Sequence, residues 1–296
     1  MTDVVGLVGV GAMGKGFAKN LVQSGLIVRG FDVSPAAMQT LRDLGGVPAS
    51  SPADAAAGAS WLITSLPGSE EVDEALFGAN GAVEGATAGS IFIDTSTSLP
   101  KESRSLAERL SSAGMRFVDA SVSGTGATVL DKDVVVLAGG SSEDFAACRP
   151  VFDGFARTAY HLGPVGSGSL GKLLINVVVV GNRLALAESL ALGMKAGMDP
   201  AALLAILKDG PAYSKAMDLK GEKMIAREYT PQSTLAQSLH GTDLLLEQAR
   251  EVGSPLFGVA VYSQVAQAAV AMGLGDLDPA ALLEALLLMG GGERGG

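Results

Sequence analysis

Cysteine and histidine are almost missing from this chain. Cys148 is the one thiol, and His161 and His240 are the two imidazoles, in 296 residues. One thiol excludes an intrachain disulfide and fits a reducing compartment, so a cytoplasmic location is expected. One cysteine and two histidines far apart in sequence lack the spacing of a zinc or iron site, and no metal is expected. Basic residues are also scarce. Lys and Arg number 21 against 31 Asp and Glu, a net charge of −10. An acidic surface repels polyphosphate, which argues against nucleic acid as a partner. Charged residues are only 18% of the chain and apolar ones 48%, a balance that supports a large core and excludes global disorder. Long unbroken apolar runs are absent too. The strongest, Leu170 to Met194, is interrupted by Lys172, Asn176, Asn182, Arg183 and Glu188. It reads as a buried helix and not a membrane span. Met1-Thr2-Asp3 has no basic start, and no signal peptide is expected.

What is present is an alternation of short apolar runs and helical patterns. Val4–Val10, Ile27–Phe31, Trp61–Leu66, Ile91–Asp94 and Arg116–Asp119 read as strands. Patterns over 13–24, 36–44, 70–76 and 100–112 read as the intervening helices. Two further strands, 134–138 and 158–162, flank a helix at 143–152. Continuous apolar strands alternating with helices imply a parallel sheet covered on both faces. After the glycine-rich junction Gly163–Gly168 only helical patterns follow, roughly 169–196, 200–208, 213–226, 234–252, 256–272 and 279–289. The fold class is therefore α/β: a Rossmann-type doubly wound domain over 1–164, then an all-helical domain over 165–296. The tail Gly290–Gly296 reads as flexible.

The first strand ends in Gly9-Val10-Gly11-Ala12-Met13-Gly14. In a Gly-x-Gly-x-x-Gly turn the first glycine allows the bend and the second lets backbone approach a diphosphate. The third lets helix and strand pack closely, and the diphosphate rests on free N–H groups at the helix start. Three glycines could mark a bare turn, but here a strand precedes, a helix follows, and Phe31-Asp32 ends the next strand. A carboxylate at Asp32 accepts hydrogen bonds from a ribose hydroxyl pair and repels a 2′-phosphate, which favours NAD over NADP. Its plain alternative is capping of the helix after Ser34-Pro35. Arg29 has the same strand parity as Phe31 and is poorly placed for a 2′-phosphate.

The segment Gly6–Gly14, with Met13 before the last glycine, resembles the opening of the β-hydroxyacid dehydrogenases of the 3-hydroxyisobutyrate dehydrogenase type. The likeness continues in order along the chain. Leu66-Pro67 resembles the family turn that lies along the cofactor, and Asp94-Thr95-Ser96-Thr97 the turn whose last threonine approaches the nicotinamide end. On residues alone, both are ordinary strand-to-helix turns. Phe117–Thr125 resembles the family's Asp-Ala-Pro-Val-Ser-Gly-Gly, with Ser121 in place of proline and Thr125 in place of the second glycine. The resemblance implies that Ser123, Gly124 and Thr125 meet the substrate carboxylate, through the Ser123 hydroxyl and the following backbone N–H groups. Gly168-Ser169-Leu170-Gly171-Lys172 and Asn176 match Gly-x-x-x-Lys-x-x-x-Asn, which implies Lys172 as catalytic residue and Asn176 as substrate ligand. Lys172 and Asn176 share one helix face, and a lysine among leucines has its charged form disfavoured. Without the likeness, Lys172 would read as a snorkelling side chain. Where the family carries Lys-Asp in a later helix, this chain has Thr242-Asp243. Thr242 is then a cofactor contact without the charge, for which Lys215 or Lys220 could compensate. Tyr229-Thr230-Pro231 resembles the threonate dehydrogenase branch.

The reaction implied is hydride transfer between NAD and a small β-hydroxyacid, with Lys172 as general base or acid at the hydroxyl. The same resemblance implies a homodimer or homotetramer. Two other readings stand beside it. Thr125 and Thr242 leave room for an imine or ketone reductase acting without a carboxylate. A non-catalytic dinucleotide-binding module is the third.

Overall fold

Apolar runs of four or five residues become neighbouring strands because each is buried on both faces and can satisfy its backbone only beside another strand. A computed structural model describes residues 3–231 and 233–292. Residues 293–296 of the glycine tail lie outside them, as do Met1 and Thr2. The chain divides into two compact units, Met1–Lys172 and Leu173–Gly296. The sequence reading put the junction at residue 164. The division falls later because the first turn of a long helix is hydrogen-bonded to a strand of the first unit.

In the first unit β1 (Val4–Val8), α1 (Gly14–Gln23), β2 (Ile27–Phe31), α2 (Pro35–Asp43) and β3 (Val47–Pro48) come first. Then follow α3 (Pro52–Ala56), β4 (Trp61–Thr64), α4 (Ser69–Phe77), α5 (Ala82–Gly85), β5 (Ile91–Asp94) and α6 (Pro100–Ser112). The unit continues with β6 (Arg116–Ser123), β7 (Val135–Gly139), α7 (Ser142–Ala147), α8 (Arg149–Phe155), β8 (Thr158–Gly163) and the start of α9 (Ser167–Lys195). The strands form one sheet in the order β3-β2-β1-β4-β5-β6-β7-β8. Strand order reverses between β1 and β4, and in such sheets ligands bind at the carboxyl ends beside that reversal. Gly9 follows β1 there. Val5, Leu7 and Ile63 pack on one face with Phe17, Leu21 and Phe152. Val8, Leu62 and Phe92 pack on the other with Leu76 and Leu110.

Three features differ from the sequence reading. β3 was not expected; it is a two-residue edge strand ending in Pro48, a position where a missing N–H does no harm. β6 runs on to Ser123, so Ser121 and Ser123 are strand residues, not loop. The sheet is not parallel throughout: β6 and β7 pair antiparallel. The stretch from 124 to 134 holds only the short 3-10 turn Thr128–Asp131, whereas a parallel return needs a crossover of a dozen or more residues.

The second unit contains the rest of α9, then α10 (Pro200–Asp209), a π-turn at Met217–Gly221 leading into α11 (Glu222–Ala226), α12 (Leu235–Val252), α13 (Phe257–Ala269) and α14 (Leu282–Met289). No strand occurs among its described residues, as expected. Part of α9 is exposed in the single chain. Leu174 and Val178, one turn apart, are 58% and 59% exposed, because a helix apolar on all sides cannot cover every side within one chain. By length and composition α9 and Phe257–Leu274 could each cross a membrane, although α9 carries Lys172, Arg183 and Glu188.

Candidate active site

The glycine loop is built around two close approaches and one open position. Gly9 has φ +96°, and a Cβ there would lie 2.3 Å from Ser65 O at the end of β4. A Cβ at Gly14 would lie 2.0 Å from Gly9 O. Both glycines are therefore required by the turn itself. Gly11 is different: it is exposed, and a Cβ there would meet nothing within 4 Å. Protein packing does not demand a glycine at Gly11, whereas close approach of a diphosphate to the backbone does. No side chain caps the start of α1, and a helix N-terminus favours an anion. The residues thus fit a dinucleotide.

Asp32 stands at the end of β2 with both carboxylate oxygens engaged. Oδ2 accepts from Val10 N–H at 2.7 Å and Oδ1 from Ser34 N–H at 2.8 Å. Asp32 therefore braces the glycine loop and also contributes to the turn before α2. Gly9 N–H donates to Phe31 O at 2.9 Å, a second tie between loop and strand. Arg29 is turned away: its guanidinium donates to Ala57 O at 2.6 Å.

The carboxyl ends of β4 and β5 are joined by hydroxyls. Leu66 N–H, next to Pro67, donates to Ser96 Oγ at 3.1 Å. Thr64 Oγ1 donates to Asp94 Oδ1 at 2.7 Å, and Thr95 Oγ1 to Thr64 O at 2.7 Å. The two family-like turns are thus one connected ridge, with Thr97 half-buried just beyond it. Burial raises the pKa of the Asp94 carboxyl despite the Thr64 and Ser96 hydrogen bonds.

β6 supplies both anchors for α9. Asp119 is buried and accepts from Gly166 N–H at 2.8 Å and Ser169 N–H at 2.9 Å, which caps the helix from outside. Burial pushes its carboxyl up to about 6, against the pull of those N–H groups. Three residues further along β6, Val122 O accepts from Lys172 Nζ at 2.8 Å. Burial lowers the Lys172 amine from 10.5 to about 8. An amine in that range changes protonation state within the working range of an enzyme, as a general acid–base requires. Ser123 closes the strand opposite Val135. Gly124 follows with φ +158°, and a Cβ there would lie 2.4 Å from Val134 Cγ1.

Thr125 is placed differently from the sequence expectation. Its N–H donates to Thr128 Oγ1 at 2.8 Å, and its own Oγ1 accepts from Thr128 N–H at 3.2 Å. The reciprocal pair starts the short turn, so the Thr125 N–H is not free for a carboxylate.

Two family models cover the chain. One, described as the NAD binding domain of 6-phosphogluconate dehydrogenase, matches residues 4–163. The other, the NAD-binding of NADP-dependent 3-hydroxyisobutyrate dehydrogenase, matches residues 166–286. An L-threonate dehydrogenase from Cupriavidus necator is 30% identical over 285 residues, 96% of each chain. The chain belongs to the β-hydroxyacid dehydrogenase family. A 2-(hydroxymethyl)glutarate dehydrogenase from Eubacterium barkeri is also 30% identical, over 95% of this chain and 93% of its own. The crystal structure of a 3-hydroxyisobutyrate dehydrogenase from Salmonella typhimurium superposes with a TM-score of 0.88 at 25% identity, covering 95% of this chain and 99% of its own. This β-hydroxyacid dehydrogenase is an NAD(P)-dependent oxidoreductase acting on CH–OH groups.

The remaining expected residues of the dehydrogenase lie on helices of the second unit. Asn176 follows Lys172 by one turn of α9 and is half-buried. Thr242 is 1% exposed, and its hydroxyl donates to Ser238 O at 2.8 Å within α12. That hydroxyl serves its own helix, a habit of threonine in helix interiors. Lys220 is no substitute for the missing lysine, since it is held between both oxygens of the fully buried Asp278, each at 2.7 Å. Sequence reasoning overlooked two buried groups. Asp119 lies inside a quoted motif, where an acid ending the apolar run Phe117-Val118 is an available signal. Asn20 lies inside α1 and has no such signal.

Proposed function

We propose that this dehydrogenase uses NAD and oxidises a small hydroxyacid of the threonate or 3-hydroxyisobutyrate class, with Lys172 as the proton-transfer group. The observation that carries the reading is the Lys172 amine, lowered to about 8 and held on Val122 O of the strand that ends at Ser123. In this reading Gly9–Gly14, Phe31, Asp32, Leu66, Pro67 and Thr97 hold the dinucleotide, and its nicotinamide supplies the hydride acceptor. Ser123 and Gly124 hold the carboxylate, and Asn176 orients the hydroxyl. The neutral amine of Lys172 takes the hydroxyl proton in oxidation, and its ammonium returns a proton to the alkoxide in reduction. The relatives from Cupriavidus necator and Eubacterium barkeri are both named for hydroxylated carboxylic acids, which supports an acid substrate. Preference for NAD rests on Asp32, whose charge repels a 2′-phosphate, and on Arg29 being engaged with backbone carbonyls. The apolar side of α9 is read as a subunit contact of a cytoplasmic homo-oligomer, since Lys172, Arg183 and Glu188 along this helix disfavour lipid.

Initial rates with NAD and NADP across L-threonate, 3-hydroxyisobutyrate, glycerate and serine test the reading. Preference for NAD of roughly tenfold or more is expected from like-charge repulsion. Preference for NADP would overturn the role of Asp32. Turnover of carboxylate-free ketones or cyclic imines, with none of the acids, would overturn the substrate class. The pH profile is a separate check. Oxidation needs the neutral amine, so its kcat/KM should rise with pH and level off above about 8. Reduction needs the ammonium, so its kcat/KM should fall through the same midpoint. Parallel profiles in the two directions would count against Lys172.

A further inference from the structure

We infer that Asn20, on the helix that follows the glycine loop, is a positioning residue for the hydroxyacid, because it fastens the segment after Ser123 onto that helix. The inference rests on the reading of Ser123 and Gly124 as carboxylate ligands. Asn20 is 1% exposed, and its Nδ2 donates to Val129 O at 2.6 Å across 109 residues of sequence. One residue earlier, Lys19 Nζ donates to Leu130 O at 3.1 Å. Val129 itself is fully buried and seats over Gly16, where a Cβ would come within 2.3 Å of Val129 Cγ1. Gly16, Lys19 and Asn20 are spaced i, i+3, i+4 and so form one face of α1. Nearer Ser123, Gly126 lies against the glycine loop, where a Cβ would be 2.9 Å from Ala12 O.

These contacts have a common consequence. The carbonyls of Val129 and Leu130 belong to the 3-10 turn Thr128–Asp131, and α1 supplies donors to both. The turn is in turn locked to Thr125 by the reciprocal Thr125–Thr128 bonds. The chain from Gly124 to Leu130 is thereby tied to the helix that follows the glycine loop. A buried asparagine is a costly choice for a helix interior, where leucine or alanine propagates the helix better. The amide is explained by a backbone acceptor on a distant segment, Val129 O.

The test compares Asn20→Ala, Lys19→Met and Ser123→Ala with the unmodified enzyme. Hydroxyacid KM, kcat, the dissociation constant of NAD and the melting temperature are measured for each. Asn20→Ala should raise the hydroxyacid KM roughly tenfold, the loss of one buried hydrogen bond. NAD binding should stay within about twofold, because the glycine loop keeps its own contacts. Lys19→Met is a milder variant that retains the stem, and it should move KM in the same direction by about two- to threefold. If both clamp variants lower only the melting temperature and leave KM unchanged, Asn20 is merely structural and the inference fails. If KM and the NAD dissociation constant rise in the same proportion, the clamp holds α1 and not the substrate segment, and the inference also fails. Ser123→Ala separates the two readings. Should it raise KM while the clamp variants do not, only the role of Asn20 falls. Should it leave KM unmoved, the carboxylate assignment falls and the inference with it.

Discussion

Lys172→Ala is expected to lower kcat by roughly a thousandfold, the middle of the range for losing a general acid–base, with NAD affinity unchanged. The amine sits on α9, anchored to Val122 O of β6, and the glycine loop owes nothing to it. Truncation removes a side chain that is partly buried on the first unit, so a modest loss of melting temperature accompanies the loss of rate. Lys172→Arg sharpens the result. The guanidinium keeps the positive charge but does not deprotonate, so oxidation should stay slow at every pH and the rise through about 8 should vanish. Steady-state rates between pH 6 and 10, with fluorescence titration of NAD, check both variants. Full turnover in Lys172→Ala would remove the lysine from the mechanism. A normal pH profile in Lys172→Arg would move the titration to another group.

Within the glycine loop, Gly14→Ala and Gly11→Val should fail in opposite ways. At Gly14 a methyl group would collide with Gly9 O, backbone that cannot turn aside. Relieving that contact forces the loop open, at a cost of about 1–3 kcal/mol or more. Thermal melting should therefore drop, and dinucleotide binding with it. At Gly11 nothing obstructs the added atoms and φ is not in the left-handed region, so the ligand-free protein should melt as before. Binding of NAD should nevertheless weaken at least tenfold, about 1.4 kcal/mol, because the branch occupies the space that the diphosphate needs. Calorimetric titration beside a melting curve distinguishes the two. Unaltered NAD affinity in a well-folded Gly11→Val enzyme would show that the diphosphate does not approach this backbone.

The parts of the site that were legible in sequence are those carried by local spacing. Glycines at 9, 11 and 14, an acid at the end of the next strand, and a lysine four residues before Asn176 can all be read within one element or one turn. The engagement of Thr125 was not legible, because its hydrogen bonds depend on Thr128 and on a turn type that composition does not announce. The burial of Thr242 was not legible, because a motif position does not say which helix face is buried. Asp119 was visible as a letter in a motif, but its work as the cap of α9 appears only when residues 119, 166 and 169 are adjacent. Asn20 illustrates the limit most clearly, since its partner at Val129 is 109 positions away.

By itself the sequence determined the α/β class, the main alternation of strands and helices, the dinucleotide loop and the candidate lysine. These follow from periodicity and from steric needs that act over a few residues. Only the tertiary structure decided the antiparallel β6–β7 pair, the extension of β6 to Ser123, the extent to which the Lys172 amine is lowered and the tie between α1 and the turn Thr128–Asp131. Strand direction was set by the length of the return between 124 and 134, and the amine by the burial that packing imposes. Such effects arise from which distant groups are brought together and how much water is excluded between them. Neither quantity is written in the spacing of residues along the chain.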